Sequence, residues 1–172
     1  GDSGGDGEGS RGDPMELALL RLGLKAGLDR SSLYEEMERV RLEPFDPDTK
    51  MMASFHADEG GEVLVAVKGA PEAVLRASQR VWSAEGSSAE LGEEERERWR
   101  ERNRELAGAG LRILALARKR VSDASAEPYE ELELMGLVGM LDPPRERVRE
   151  ALSDCHAAGL RVLMVTGDQP AT

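Results

Sequence analysis

A run of β-branched and small apolar residues, Val63-Leu64-Val65-Ala66-Val67, passes without a break into Lys68-Gly69-Ala70-Pro71-Glu72. The run predicts a strand. Pro71 suits the first position of a following helix, where its missing N–H costs nothing, and Glu72 complements the positive helix N-terminus. Lys68 is thereby held on a rigid element. Gly69 offers no side chain to obstruct a flat ligand, so a polyanion carrying a planar base could lie against the backbone while the ammonium meets its phosphate. The alternative is an ordinary strand-to-helix turn with a solvated lysine.

The chain has 172 residues, 40% of them hydrophobic, enough for one or two small domains with a real core. A net charge of −11 argues against a nucleic-acid binder, which would present a basic face. A single cysteine, Cys155, permits neither an internal disulfide framework nor a multi-cysteine metal site. No metal-ligand set is assigned, because His56 and His156 have no companion at metal-ligand spacing. No run approaches the roughly 20 apolar residues of a membrane span, and residues 1–12 lack hydrophobic residues altogether, which predicts a flexible tail.

Asp13-Pro14-Met15-Glu16 reads as an N-cap, a first-turn proline and a capping-box glutamate, opening a helix to about Leu28. Ser31 or Ser32 is expected to cap a short helix through Met37. Strands over 39–45 and 50–56 flank a Pro47-Asp48 turn, and with the Val63 strand they predict an antiparallel meander. A helix is expected over 70–80, then an irregular stretch over 82–92. Residues 93–109 carry opposite charges at helical spacing, Glu94 with Arg98 and Glu97 with Arg100, over a thin seam of Trp99 and Leu106. Strands are predicted over 111–121 and 131–140. After Asp142-Pro143-Pro144 come a helix over about 146–158 and a strand over 161–165 ending in Thr166-Gly167-Asp168. The fold class is thus α+β, an antiparallel sheet with flanking helices, followed by what opens like a parallel α/β unit.

Four further positions carry chemistry. Phe45, at a strand end, could stack on a nucleobase with Lys50 nearby, or be buried in the core. Arg112, at the head of its strand, could meet a phosphate or form a surface ion pair. Thr166, Gly167 and Asp168 sit at a strand's carboxyl end, where a hydroxyl, backbone N–H groups and a carboxylate can handle a phosphoryl group and its magnesium ion. A plain turn capped by Asp168 is the other reading. The two prolines beside Asp142 and Arg145 make a stiff connector suited to a hinge, or simply a rigid linker.

The order of these motifs is more specific than any one of them. Gly12-Asp13-Pro14-x-Glu16, Phe45-x4-Lys50-Met51, Lys68-Gly69-Ala70-Pro71-Glu72, Leu111-Arg112-x-Leu114-Ala115-Leu116-Ala117, Leu141-Asp142-Pro143-Pro144-Arg145 and Thr166-Gly167-Asp168 together resemble a P-type cation-transporting ATPase of the type II, calcium-pump-like branch. The likeness runs from about Gly12 to the last residue. It implies ATP and Mg²⁺ as ligands, with residues 13–141 as most of a nucleotide-binding domain. Residues 142–172 would then be a hinge and the start of a haloacid-dehalogenase-like phosphorylation domain. By the resemblance, Phe45 corresponds to the adenine-stacking aromatic, Glu16 to a glutamate near the adenine, Lys50 and Lys68 to lysines of the ATP pocket, and Arg112 to a phosphate-reaching arginine. Asp142 and Arg145 correspond to the hinge, and Thr166, Gly167 and Asp168 to the segment around the transferred phosphoryl group.

The family often has a serine and a basic residue soon after the aromatic, whereas this chain has Asp46-Pro47-Asp48-Thr49, which puts one phosphate-side cation in doubt. No Asp-Lys-Thr-Gly-Thr segment, bearer of the phosphorylated aspartate, occurs in these residues. The resemblance therefore implies a cytoplasmic fragment of an integral membrane pump, partnered by its phosphorylation, actuator and transmembrane domains, that binds ATP weakly and hydrolyses essentially none alone. A non-catalytic nucleotide sensor or interaction module is the alternative. A soluble phosphatase of the haloacid-dehalogenase type ranks below both, because no segment presents an Asp-x-Asp or Asp-Lys-Thr sequence after a β-branched run.

Overall fold

The computed structural model describes residues 14–83, 85–141 and 147–163. The elements, in chain order, are α1 (Pro14–Lys25), α2 (Arg30–Glu36), β1 (Glu38–Asp46), β2 (Met51–Ala57), β3 (Val63–Gly69), α3 (Pro71–Ala77), β4 (Ser78–Trp82), β5 (Ser88–Glu90), α4 (Glu93–Gly108), β6 (Arg112–Val121), β7 (Leu132–Met140) and α5 (Val148–Ala157). Among the described residues the strands form one seven-stranded sheet in the order β1-β2-β3-β6-β7-β4-β5.

The meander β1-β2-β3 forms as its alternating pattern and short turns dictate, antiparallel throughout. Phe55 and Val65 are fully buried, and with Met51, Ala53, Val63, Val67, Ala115, Ala117, Leu132 and Leu134 they give the sheet one apolar face. Ala73, Val74 and Leu75 of α3 close that face, and Trp99 of α4 packs against the same cluster. The opposite face, on which Met52, Ser54, Ala66, Lys68 and Leu116 lie by alternation, is only half-buried. This asymmetry matters for function, because one face is filled with protein and the other retains access.

Three expectations for the sheet are corrected. The helix after Pro71 stops at Ala77 rather than Arg80, and the chain continues directly as β4. The Ser78 hydroxyl donates to the Val74 carbonyl at 2.7 Å, the Arg96 guanidinium donates to the carbonyls of Leu75 and Ser78, and the next residues find the backbone edge of β7. The stretch 82–92 is not irregular throughout, since β5 folds back on β4 around a turn with Gly86 at φ 80° and a Ser83 N–H to Ser87 C=O bond of 2.8 Å. The sheet is also mixed rather than wholly antiparallel, because β4 runs parallel to β7. The chain between them, β5, α4 and β6, supplies the long connection that a parallel pair requires.

The helix boundaries also shift. α1 ends at Lys25 rather than Leu28, and α2 is capped by Asp29, not by a serine: its carboxylate accepts from the Ser32 N–H at 3.1 Å. α4 spans the charged stretch as expected, with its ion pairs on the solvent side. Residues 161–163 are not a strand, and 164–165 lie outside the described residues. Among the described residues, the parallel α/β unit expected there is represented by α5. The tail over 1–12 and the capping residue Asp13 also lie outside the described residues. No helix among the described residues is long and apolar enough to cross a membrane.

Candidate functional site

Lys68 stands one residue from the end of β3, opposite Met52 of β2 and Leu116 of β6. These three side chains share the half-buried face and form a row across the sheet. The β1–β2 register extends that row: Glu43 pairs with Ala53 and Asp46 with Met51, so Pro44 and Phe45 together oppose Met52. Such a bulge re-aims a side chain at a sheet edge. The Phe45 ring is 60% exposed, which rules out core burial. At roughly 4.8 Å between strands, Phe45 and Lys68 are about 10 Å apart across Met52.

Helix α1 reaches this face through Glu16, whose carboxylate pairs with the Lys68 ammonium. The capping role expected for Glu16 involves Asp13, which lies outside the described residues. Lys68 is the more enclosed partner, with its side chain 21% exposed against 50% for Glu16. Met52 has no local signature as a site residue. It is recognisable only because Met51, Ala53 and Phe55 alternate into the core and leave it on the other face.

Lys50 occupies the turn before β2 in the left-handed region, at φ 58°. Its N–H donates to the Asp46 carbonyl at 2.7 Å, and its own carbonyl accepts from the Ala70 N–H at 3.0 Å. Gly69 pairs with Met51, and a Cβ on it would lie 2.4 Å from the Lys50 carbonyl oxygen and 2.7 Å from Met51 Cγ. The glycine expected to admit a flat ligand thus has a nearer reason to be small, the approach of the neighbouring main chain.

Arg112 begins β6 opposite Met140, with an exposed side chain. It lies four residues along the strand from Leu116, or about 13 Å from the Phe45–Lys68 row, on the same face by alternation. The structure therefore brings Glu16, Phe45, Lys50, Lys68 and Gly69 to one corner of the sheet, with Arg112 further along. Asp142, Arg145, Thr166, Gly167 and Asp168 lie outside the described residues.

Further along the half-buried face, Arg118 donates to Glu133 at 2.9 Å and stacks over the Trp82 ring at 4.5 Å from its centroid. Burial raises the Glu133 carboxyl, but hydrogen bonds from Ser88 and Arg118 outweigh it and hold the group below its ordinary value. At the opposite flank, His56 contacts Ser54 Oγ at 3.0 Å and faces the Tyr34 ring, 6.0 Å between centroids. Both clusters lie on the same side of the Phe45–Lys68 row, at the levels of Ser54–Ala66–Arg118 and His56–Leu64–Arg120.

Comparison with known proteins shows the family. Residues 2–147 match the family described as P-type ATPase, cytoplasmic domain N. The chain is 34% identical over 165 residues to a calcium-transporting ATPase 1 of Lactococcus lactis, covering 94% of this chain and 19% of that protein. It is 37% identical over 169 residues to a sodium/potassium exporting P-type ATPase of Schizosaccharomyces pombe, covering 94% and 16% respectively. A plasma-membrane-type calcium-transporting ATPase 4 of Arabidopsis thaliana is 37% identical over 163 residues, again with 94% and 16% covered. The chain thus spans less than a fifth of the length of these relatives. A mixed sheet with helices against its buried face, and a family match over most of its length, establish that this chain belongs to the P-type ATPase cytoplasmic N-domain family.

Proposed function

We propose that the half-buried face of the sheet is an ATP site and that the chain is the nucleotide-binding part of a cation pump. The observation that carries this reading is the row from Phe45 through Met52 to Lys68, which offers an exposed aromatic ring, an apolar floor and an ammonium in sequence. A purine is flat and polarisable and stacks on such a ring. A polyphosphate is multiply charged and needs cations, which Lys68, Lys50 and Arg112 supply without any basic excess in the chain as a whole. Glu16, paired with Lys68, would meet the nucleotide beside that lysine. Magnesium would come with the phosphates in this reading and would neutralise part of their charge.

In the parent protein, the γ-phosphoryl group would pass from ATP to an aspartate carboxylate supplied by other polypeptide, releasing ADP, with hydrolysis of the acyl phosphate completing the cycle. Residues 13–141 would form the nucleotide-binding domain. Asp142 and Arg145 would belong to the hinge, and Thr166, Gly167 and Asp168 to the phosphorylation domain beginning at 142. Relatives named as calcium-transporting favour calcium as cargo.

Titration of ATP into the purified chain, followed by two-dimensional NMR with and without magnesium, tests the reading. Saturable shifts at residues around Phe45, Met52 and Lys68, weakened by Lys68→Ala and by Phe45→Ala, are expected. A folded sample with no saturable shifts would sink it. Steady magnesium-dependent turnover by the chain alone would refute the assignment of the acceptor to other polypeptide.

A further inference from the structure

Helix α2 is seven residues long, below the length at which a helix holds itself together in water, so it persists by what it rests on. Its two large apolar side chains give it little of that support, Leu33 being 45% and Tyr34 38% exposed. The rest comes from a small cluster at the sheet. The Tyr34 ring lies against the His56 ring of β2, with 6.0 Å between centroids and a tilt of 57°. The Arg39 guanidinium of β1 stands 6.0 Å from the Tyr34 centroid. The backbone of Met37, which caps α2, hydrogen-bonds the same imidazole, and Nε2 of that ring contacts Ser54 Oγ at 3.0 Å. His56 thus touches both the body and the end of the helix.

The surroundings of the ring are set against a positive charge. Arg39 is its direct partner across the β1–β2 ladder. Leu64 faces it from β3, and beyond Leu64 stands Arg120 of β6, held by Asp58 at 3.3 Å and Glu62 at 3.0 Å. From α2, Tyr34 is the titratable group presented to it. Glu35 and Glu36 are exposed, and Asp29 caps the far end of the helix through Ser32. Burial penalises an imidazolium here, the Arg39 charge adds to the penalty, and the Met37 bond offsets part of it. Lifting α2 takes away the cover that Tyr34 supplies and lets water reach the ring, so the larger penalty is relieved in the released helix. We propose that His56 is a pH-sensitive latch: the neutral ring seats α2 on the sheet, and protonation beside Arg39 releases it.

A proton that binds the released form more tightly than the seated one shifts the population toward release as pH falls. Helices α1 and α2 are consecutive, and both reach the half-buried face, through Glu16 and Tyr34. The latch therefore links acidity to how that face is covered. It does not depend on the nucleotide-binding reading.

In the full chain, NMR between pH 7.5 and 5.5 reads the latch directly. The Leu33 and Met37 amides donate to the carbonyls of Asp29 at 3.2 Å and Leu33 at 3.0 Å. Their protection from hydrogen exchange should fall about threefold to fivefold over that range, once the intrinsic pH dependence of exchange is divided out, while amides of β2 and β3 keep theirs. The Tyr34 ring resonances should move with the same midpoint as the His56 ring. His56→Gln, which cannot take up the proton, should hold α2 protection constant. Tyr34→Ala should raise the His56 midpoint toward its ordinary 6.5 by uncovering the ring, and it serves as the test if His56→Gln does not fold. An equal fall in His56→Gln, no fall in wild type, no protection of these amides at pH 7.5, or an unmoved His56 midpoint in Tyr34→Ala would each overturn the proposal.

Discussion

Lys68 of β3 and Glu16 of α1, 52 residues apart in the chain, are joined by an ion pair on the half-buried face of the sheet. The cation expected to serve phosphate is therefore already matched to a carboxylate. A polyanion must compete with Glu16, and pairs with one exposed member are worth about 0.2–1 kcal/mol. Glu16→Gln is expected to tighten tripolyphosphate binding by about twofold to fivefold, measured by titration at low salt, with the gain shrinking as salt screens the pair. Unchanged or weaker binding would show that Glu16 does not oppose the anion.

Phe45 and Phe55 make a controlled comparison, because one ring is 60% exposed and the other fully buried. Phe45→Ala should change folding stability by about 0.5 kcal/mol or less, as surface substitutions do, and weaken ATP about tenfold through lost stacking. Phe55→Ala should cost about 3–5 kcal/mol of stability through the cavity it leaves. Urea unfolding paired with ATP titration separates the two. A large stability loss in Phe45→Ala would mean that its ring packs in solution.

The Arg96 guanidinium serves the carbonyls of Leu75 and Ser78 where α3 hands over to β4. Arg96→Ala leaves those acceptors without it in a part-buried setting, at a cost of about 1–3 kcal/mol. Arg96→Lys should recover only part, since a single ammonium lacks the planar fork. The readout is the urea midpoint, and tripolyphosphate affinity should stay as in wild type because α3 and α4 cover the other face.

Burial holds the His56 imidazole below its ordinary value of 6.5, the Arg39 charge adds to the effect, and a hydrogen bond with the Met37 backbone opposes it. As pH falls below 6.5 the unfolded chain takes up this proton first, so it binds more protons than the folded state and stability declines until the folded group titrates. The urea midpoint should therefore drop between about pH 7.5 and 5.5, and the drop should be smaller in His56→Gln. Glu133, whose carboxyl is also held low, adds its own loss only at more acidic pH. Equal pH dependence in both proteins would remove His56 from the account.

The strands β1, β2, β3, β6 and β7 and the charged helix α4 were legible in the residues, because alternation, helical charge spacing and turn chemistry are local properties written at periods of two and 3.6. The candidate site was legible as a set of residue types, and the order of motifs along the chain identified the family. Local pattern could not determine where the Pro71 helix would stop. That depended on Arg96, 18 residues beyond Ser78, reaching back to its carbonyl, and on β7 presenting an open backbone edge for β4.

The residues by themselves thus determined strands β1, β2, β3, β6 and β7 and the charged helix α4, and offered the side chains that the proposed site uses. Only the tertiary structure decided that β4 would lie parallel to β7, that Glu16 would meet Lys68, and that the Lys50 carbonyl would approach Gly69 too closely for a side chain. These outcomes depend on distances between groups remote in sequence, where the competition for backbone edges, buried hydrogen-bond partners and charge is settled by proximity in space.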